Sequence, residues 1–220
     1  MVMGTTPNTE TRTAPRPRGR PGLTPEVREQ ALAAAGQLLA EEGLSGMQAR
    51  AIARRAGLSV GSIYKLFGDI EDLIRELNYQ TYQDIADHHQ AALAKANLPD
   101  DAVHDRLMVL GRAYIEFVVT QNARWSALLT FNARHGEALP KEYHDIEDDL
   151  LDIVANELAK APGFDEFDYR ARSSRALWAA VHGIITVGLP NARASDPVAE
   201  ALAQIDLVVT GLLCQAAKRA

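Results

Sequence analysis

Residues 48–67, QARAIARRAGLSVGSIYKLF, constrain the fold more than any other stretch of the chain. Ala53 is small, Gly57 follows four residues later, and Ile63 lies six after that. Two short helices that cross at a tight turn require this spacing. The small residue lets the second helix approach the first, and Gly57 can enter the left-handed conformation at the turn. Ile52, Leu58 and Ile63 fill the space between. Ser59 stands where a side-chain oxygen caps the second helix. The pattern predicts helices over about 48–55 and 59–66, joined as a helix-turn-helix.

The rest of the chain repeats apolar residues at helical spacing. Thr24-Pro25-Glu26 is a helix start, with a capping Thr, Pro in the first turn and then an acid. Val27, Ala31, Ala34, Leu38 and Leu39 follow at three- and four-residue steps, and Gly43 ends that helix. Gly68-Asp69 opens a long helix bearing Ile70, Leu73, Ile74, Leu77 and Ile85. Further helices are predicted at about 101–121, 123–131, 140–160, 166–189 and 197–218, with 132–139 as a loop and Pro190 and Pro197 as breaks. No sustained two-residue alternation or hairpin turn pair predicts a strand. The expected fold is all-α, with about nine helices. Its organisation is expected as a polar arm at 1–22, a helix-turn-helix domain at 23–69 and a larger helical domain at 70–220.

Charge divides along the same boundary. Residues 1–67 carry nine Arg and Lys against five Glu, a net +4. The other 153 residues carry 14 Arg and Lys against 24 Asp and Glu, a net −10. A basic head on an acidic body points one end of the molecule at a polyanion. The single cysteine, Cys214, rules out an intrachain disulfide and suits a reducing compartment. No secretory signal is read at the N-terminus, and the apolar run 176–189 is too short to span a bilayer. The expected location is the cytoplasm, with no membrane partner.

The second helix of the pair would present Val60, Gly61, Ser62, Tyr64 and Lys65 to double-stranded DNA. These supply hydroxyls, a cation and apolar contacts for thymine methyls. Gln48, Arg50, Arg54 and Arg55 lie on or beside the first helix, where phosphates would pass. In the arm, Pro17-Arg18-Gly19-Arg20-Pro21 is similar to the core of an AT-hook. An extended Arg-Gly-Arg can lie in a narrow A·T-rich minor groove, so Arg18 and Arg20 join the candidate DNA site.

These segments together resemble the DNA-binding domain of the TetR family of repressors, over residues 24–73. The matching stretches are the helix ending at Glu42-Gly43, then 52–59 (IARRAGLS), 61–67 (GSIYKLF), and Asp69 through Leu73. The resemblance implies DNA contacts by Ser62, Tyr64 and Lys65, with Tyr64 at a phosphate. Two positions depart from it. Gln48 stands where the family has Thr or Ser, and can still donate a hydrogen bond. Ile70 stands where a phosphate-binding Lys is common, and cannot.

Residues 178–183, WAAVHG, resemble the Trp-His-Gly pattern of one subgroup of the family's ligand domains. The resemblance implies a homodimer formed by the last two helices and a small-molecule site between the middle helices and the first of that pair. Tyr114, Phe117, Trp125, Phe131, Trp178 and His182 are the candidate lining, and Arg134 and His135 are candidates for a polar end of the ligand. No phosphate loop, dinucleotide glycine fingerprint or Gly-x-Ser-x-Gly is present in the sequence. The acid and histidine pairs Asp84/His88 and Asp145/Asp149 occur at spacings common on solvated helices. Neither an enzyme nor a metal or cofactor is therefore expected. The expected function is a regulator, foremost a repressor released from an inverted-repeat operator by its ligand. An activator of the same fold and an architectural A·T-binding protein are the alternatives.

Overall fold

The computed structural model describes residues 23–135, 138–191 and 194–219. Among these residues every regular element is a helix. The head comprises α1 (Pro25–Glu42), a 3₁₀ turn (Gly43–Gly46), α2 (Ala49–Arg55) and α3 (Val60–Phe67). The body comprises α4 (Ile70–Ala96), α5 (Val103–Thr120), α6 (Asn122–His135), α7 (Lys141–Leu158), α8 (Phe167–Gly183) and α9 (Pro197–Ala217).

The stripes read from the sequence become one continuous core. Leu38 and Leu39 of α1, Ile52 and Ala53 of α2, Ile63 and Phe67 of α3, and Leu73 and Leu77 of α4 close the head. The core continues through α4 into the body, where α5, α6 and α7 pack on it and α8 and α9 close the far side. The α6 helix also packs against α1 and the 3₁₀ turn. Head and body thus meet at two places: the continuous α4, and the side of α6.

Local chemistry sets the element ends. Asp69 accepts from the Asp72 amide at 2.7 Å and starts α4, and Asp196 accepts from Val198 and Ala199 to start α9. Thr24 adopts the extended cap conformation but makes no side-chain cap bond. Pro25 at the first turn, having no N–H to satisfy, starts α1 in its place. At Gly111 a side chain would meet Ile205 at 3.1 Å, so this glycine sets how closely α5 approaches α9. Between α5 and α7, Arg106 grips Glu157 through two hydrogen bonds of 2.6 and 2.9 Å, both side chains nearly buried.

Two expectations fail here. Residues 132–135 continue α6 rather than starting a loop. Their reason is lateral packing: Asn132 is held by Tyr82 and Tyr143, and the His135 ring lies 4.3 Å from the Phe131 ring. Pro190 does not end the helix at 189 either. The α8 helix passes through a π turn at Ile184–Gly188 and adds a last turn, Leu189–Asn191. Proline removes one N–H and crowds the carbonyl four residues back, and a widened turn accommodates both.

Candidate nucleic-acid interface and effector cavity

The turn between α2 and α3 is built as its sequence requires. Gly57 sits at φ 65°, and the Leu58 amide closes the turn on the Ala53 carbonyl at 2.8 Å. Ile52 and Ile63 are fully buried, with Ala53 between the helices. Ser59 accepts from the Ser62 amide at 3.1 Å, and the two hydroxyls lie 2.8 Å apart. Ser62 is therefore partly committed to the cap. The exposed face of α3 carries Val60, Gly61, Tyr64 and Lys65. Gln48 is exposed at the start of α2, its amide donating to the Ser45 carbonyl at 3.4 Å.

Not every cation of the head is equally available. Arg55 pairs with Glu41 at 2.6 Å, and that hydrogen bond lowers the carboxyl and raises the guanidinium. Arg28 pairs with Glu76 and lies over the Phe67 ring. Among the described residues, Arg50, Arg54 and Lys65 are exposed and carry no ion pair. Arg50 and Arg54 stand on α2, and Lys65 stands with Tyr64 on α3. Ile70 packs half-buried on the core, as its side chain dictates. Arg18 and Arg20 lie outside the described residues.

The body holds two neighbouring cavities, a small and a larger lobe, with Tyr114 and Trp178 in the walls of both. One lobe, about 50 Å³, is apolar apart from His89, with Leu107, Val154, Ile205 and Val209 in its wall. The other, about 210 Å³, is mixed: Ile85, Leu128 and Leu150 face Tyr82, Asn132, Glu147 and His182. Of the six lining residues expected from sequence, Tyr114, Trp178 and His182 line the cavity. Phe117, Trp125 and Phe131 are buried but do not line either lobe. Trp125 sits one bond behind the wall, its indole N–H donating to the Tyr114 hydroxyl at 2.9 Å. Arg134 is exposed on α6, and the His135 ring lies tilted against Phe131.

Two hydrogen-bond chains set the polarity of the larger lobe. In the first, an indole N–H can only donate, so the Tyr114 hydroxyl accepts from Trp125, and it lies 3.2 Å from His182 Nδ1. Burial lowers the pKa of His182 and pushes the Tyr114 phenol up to about 12, so both are neutral. In the second, the Tyr143 hydroxyl donates to Asn132 Oδ1 at 2.7 Å, and Asn132 Nδ2 donates to the Tyr82 hydroxyl at 2.9 Å. Trp178 stacks on His182 with ring centroids 4.8 Å apart. His89 is buried with neither ring nitrogen hydrogen-bonded, and burial lowers its pKa to about 4.

The residues that sequence reading missed share one signal. Tyr143, Glu147, Leu150, Val154 and Leu158 form a single stripe on α7, and Glu147 is the acid within it. On α4, His89 continues the stripe of Tyr82 and Ile85. A polar residue in register with an apolar stripe is turned toward the interior.

Residues 31–77 match the bacterial regulatory proteins of the tetR family, and residues 107–212 match the tetracyclin repressor-like C-terminal domain. The chain belongs to the TetR family. It is thus a member of a family of DNA-binding, helix-turn-helix transcriptional regulators. The HTH-type transcriptional regulator Rv1816 of Mycobacterium tuberculosis is 30% identical over 113 residues, 50% of this chain and 47% of that protein. The match therefore spans about half the length of this curated relative. Among solved structures, a protein from Rhodococcus sp. RHA1 superposes with a TM-score of 0.70 at 22% identity, covering 85% of this chain and 95% of that one. The TetR family transcriptional regulator PfmR from Thermus thermophilus does so at 0.57 and 19% identity, covering 82% and 97%. These two likenesses are of fold. In this TetR-family chain the α2–α3 pair and the cavity fall largely within the two matched stretches.

Asp84 and Asp145, weighed above as metal ligands, are engaged with cations. Arg124 pairs with Asp84 at 2.6 Å and Lys141 with Asp145 at 2.6 Å.

Proposed function

We propose that the protein is a cytoplasmic, dimeric repressor that leaves an inverted-repeat operator when a small molecule fills the body cavity. The observation that carries the DNA reading is the set of exposed cations without ion pairs on α2 and α3, Arg50, Arg54 and Lys65, in a chain whose body has a net negative charge. An unpaired cation on a capped helix beside a tight turn suits phosphate and base-edge contact. We divide the chain functionally at 69/70, with the arm at 1–22 adding Arg18 and Arg20 to the DNA contacts.

Dimerisation is supported by α8 and α9. The α9 helix is long and apolar enough by composition to cross a membrane, yet only 17% of its most apolar window is buried within the subunit. Leu207 on α9 is 72% exposed and Val187 beyond α8 is 66% exposed. An apolar face of this size is covered in solution. A second copy is the cover that also places two α3 helices for one DNA site, about 34 Å or a small multiple apart.

The route from ligand to DNA runs through the walls. The larger lobe is lined by α4 and α6, the two helices that also touch the head. A ligand that spreads Tyr82 and Ile85 from Leu128 and Asn132 displaces α6 against α1 and changes the spacing of the two heads. It does so only by binding the displaced form more tightly. The test is anisotropy of labelled operator with wild type, Lys65→Ala and Arg54→Ala. Lys65→Ala weakens binding by about 1–3 kcal/mol and relaxes sequence preference at one position if Lys65 reads a base; Arg54→Ala weakens all sequences alike and flattens the salt slope. Unchanged affinity and preference in both variants would remove α3 from the interface.

A further inference from the structure

The larger lobe contains a charge without a matching cation. Glu147 of α7 lines it, and among the described residues no Arg or Lys pairs with that carboxylate. Its one ion-pair partner there is the half-buried His144, with Nδ1 4.0 Å away, one turn back on the same helix. Glu157, the buried acid of α7, is matched. It is gripped by Arg106 and Lys160, which hold its carboxyl below the usual range. Glu147 shows the opposite shift: burial raises its carboxyl. The same lobe is lined by the aromatic rings of Tyr82, Tyr114 and Trp178, with aliphatic side chains completing the wall. Electron-rich ring faces and a carboxylate attract a soft cation together.

We infer that the cavity selects a compact lipophilic cation, such as an aryl-substituted amine or quaternary ammonium, with its positive centre at Glu147 and its apolar body along Tyr114 and Trp178. The assignment rests on the reading of this cavity as the effector site, and it names the chemical class that the site takes. The polar inventory fits. The lobe offers a carboxylate acceptor from Glu147 and a neutral His182, and none of its lining side chains is a cation that would hold an anionic ligand. Desolvating an unmatched carboxylate is unfavourable, and an organic cation offsets that cost where a neutral ligand does not.

The probes are phenyltrimethylammonium, its neutral carbon isostere tert-butylbenzene, and phenylacetate. Binding to the free full-length protein is read by calorimetry and by the fluorescence of Trp178 and Trp125. The quaternary cation is expected to bind saturably and phenylacetate not to bind. Glu147→Gln should weaken the cation about tenfold while leaving tert-butylbenzene within about twofold. Glu147→Asp, which keeps the charge, should retain the preference for the cation. Absence of saturable cation binding, an unchanged cation affinity in Glu147→Gln, or equal weakening of both probes would overturn the assignment. A separate measurement on the operator complex keeps the two readings apart. A cation that binds through Glu147 but leaves the DNA complex intact contradicts effector release and leaves the charge selectivity standing. A failure to bind removes the selectivity and leaves release by another ligand untouched.

Discussion

Replacing Tyr114 by Phe tests the hydrogen-bonded wall between the cavity and the core. The substitution removes one oxygen and keeps the ring, so packing changes little. What it leaves behind is the Trp125 indole N–H, which donates to that oxygen at 2.9 Å from a side chain that is buried with it. A buried donor without an acceptor costs about 1–3 kcal/mol. His182, half-buried on the other side at 3.2 Å, can turn to water in the cavity and adds little. For a chain of this size about 2 kcal/mol lowers the unfolding midpoint by about 4–8 °C. The assay is thermal and urea unfolding at fixed protein concentration, because the midpoint of a self-associating protein depends on concentration. The discriminating step is the double-mutant cycle with Trp125→Phe. Without the indole donor, Tyr114→Phe orphans nothing in the core and should cost about 1 kcal/mol less than in the wild type. An equal cost in both backgrounds, or a cost below about 0.5 kcal/mol in the wild type, would refute the bond's role.

Gly57→Ala should destabilise the head by about 1–2 kcal/mol, purely through backbone strain at φ 65°, since no atom lies within 4 Å of the added carbon. Circular dichroism melts of this variant against Gly57→Asn, which tolerates that conformation better, check the attribution. Glu157→Ala leaves Arg106 nearly buried without its carboxylate, and should cost about 3–5 kcal/mol in urea unfolding. Joint replacement as Arg106→Met with Glu157→Leu should recover most of it. Stability should fall between pH 6.5 and 4. His89 takes up its proton near 6.5 when unfolded but only near 4 when folded, so its contribution is complete above 6.5 and is lost as pH falls through that window, by about 3 kcal/mol in all. His182, whose pKa burial also lowers, acts in the same direction. Urea titrations at several pH values should show His89→Leu removing most of the loss over this window. The further loss from paired carboxylates such as Glu157 lies below about pH 4.5 and should remain.

The head was legible in the sequence because local rules decide it. A glycine at a left-handed turn, a small residue at the crossing and a serine cap each act within a few residues, and α2 and α3 begin and end within one residue of expectation. The errors come from forces that act across the fold. Asn132 reads as a loop residue in isolation, but two tyrosines from α4 and α7 hold it in α6. Pro190 reads as a stop, but a π turn carries α8 past it. The cavity was half legible. Large aromatics mark a core without saying which of them face a void, so Tyr114 and Trp178 line it while Phe117 and Phe131 pack away from it. Glu147 and His89 were missed because acids and histidines on helices are usually solvated. Only their register within the apolar stripes of α7 and α4 distinguishes them.

The central claim is sequence-specific binding by two copies of α3. Selection of bound fragments from random duplex DNA, with the full-length protein at near-physiological salt, tests it most directly. The account predicts enrichment of an inverted repeat whose half-sites lie about one helical turn, or a small multiple of it, apart. Diffuse A·T-rich enrichment without a repeat, or no enrichment at all from protein shown to be ligand-free, would contradict it.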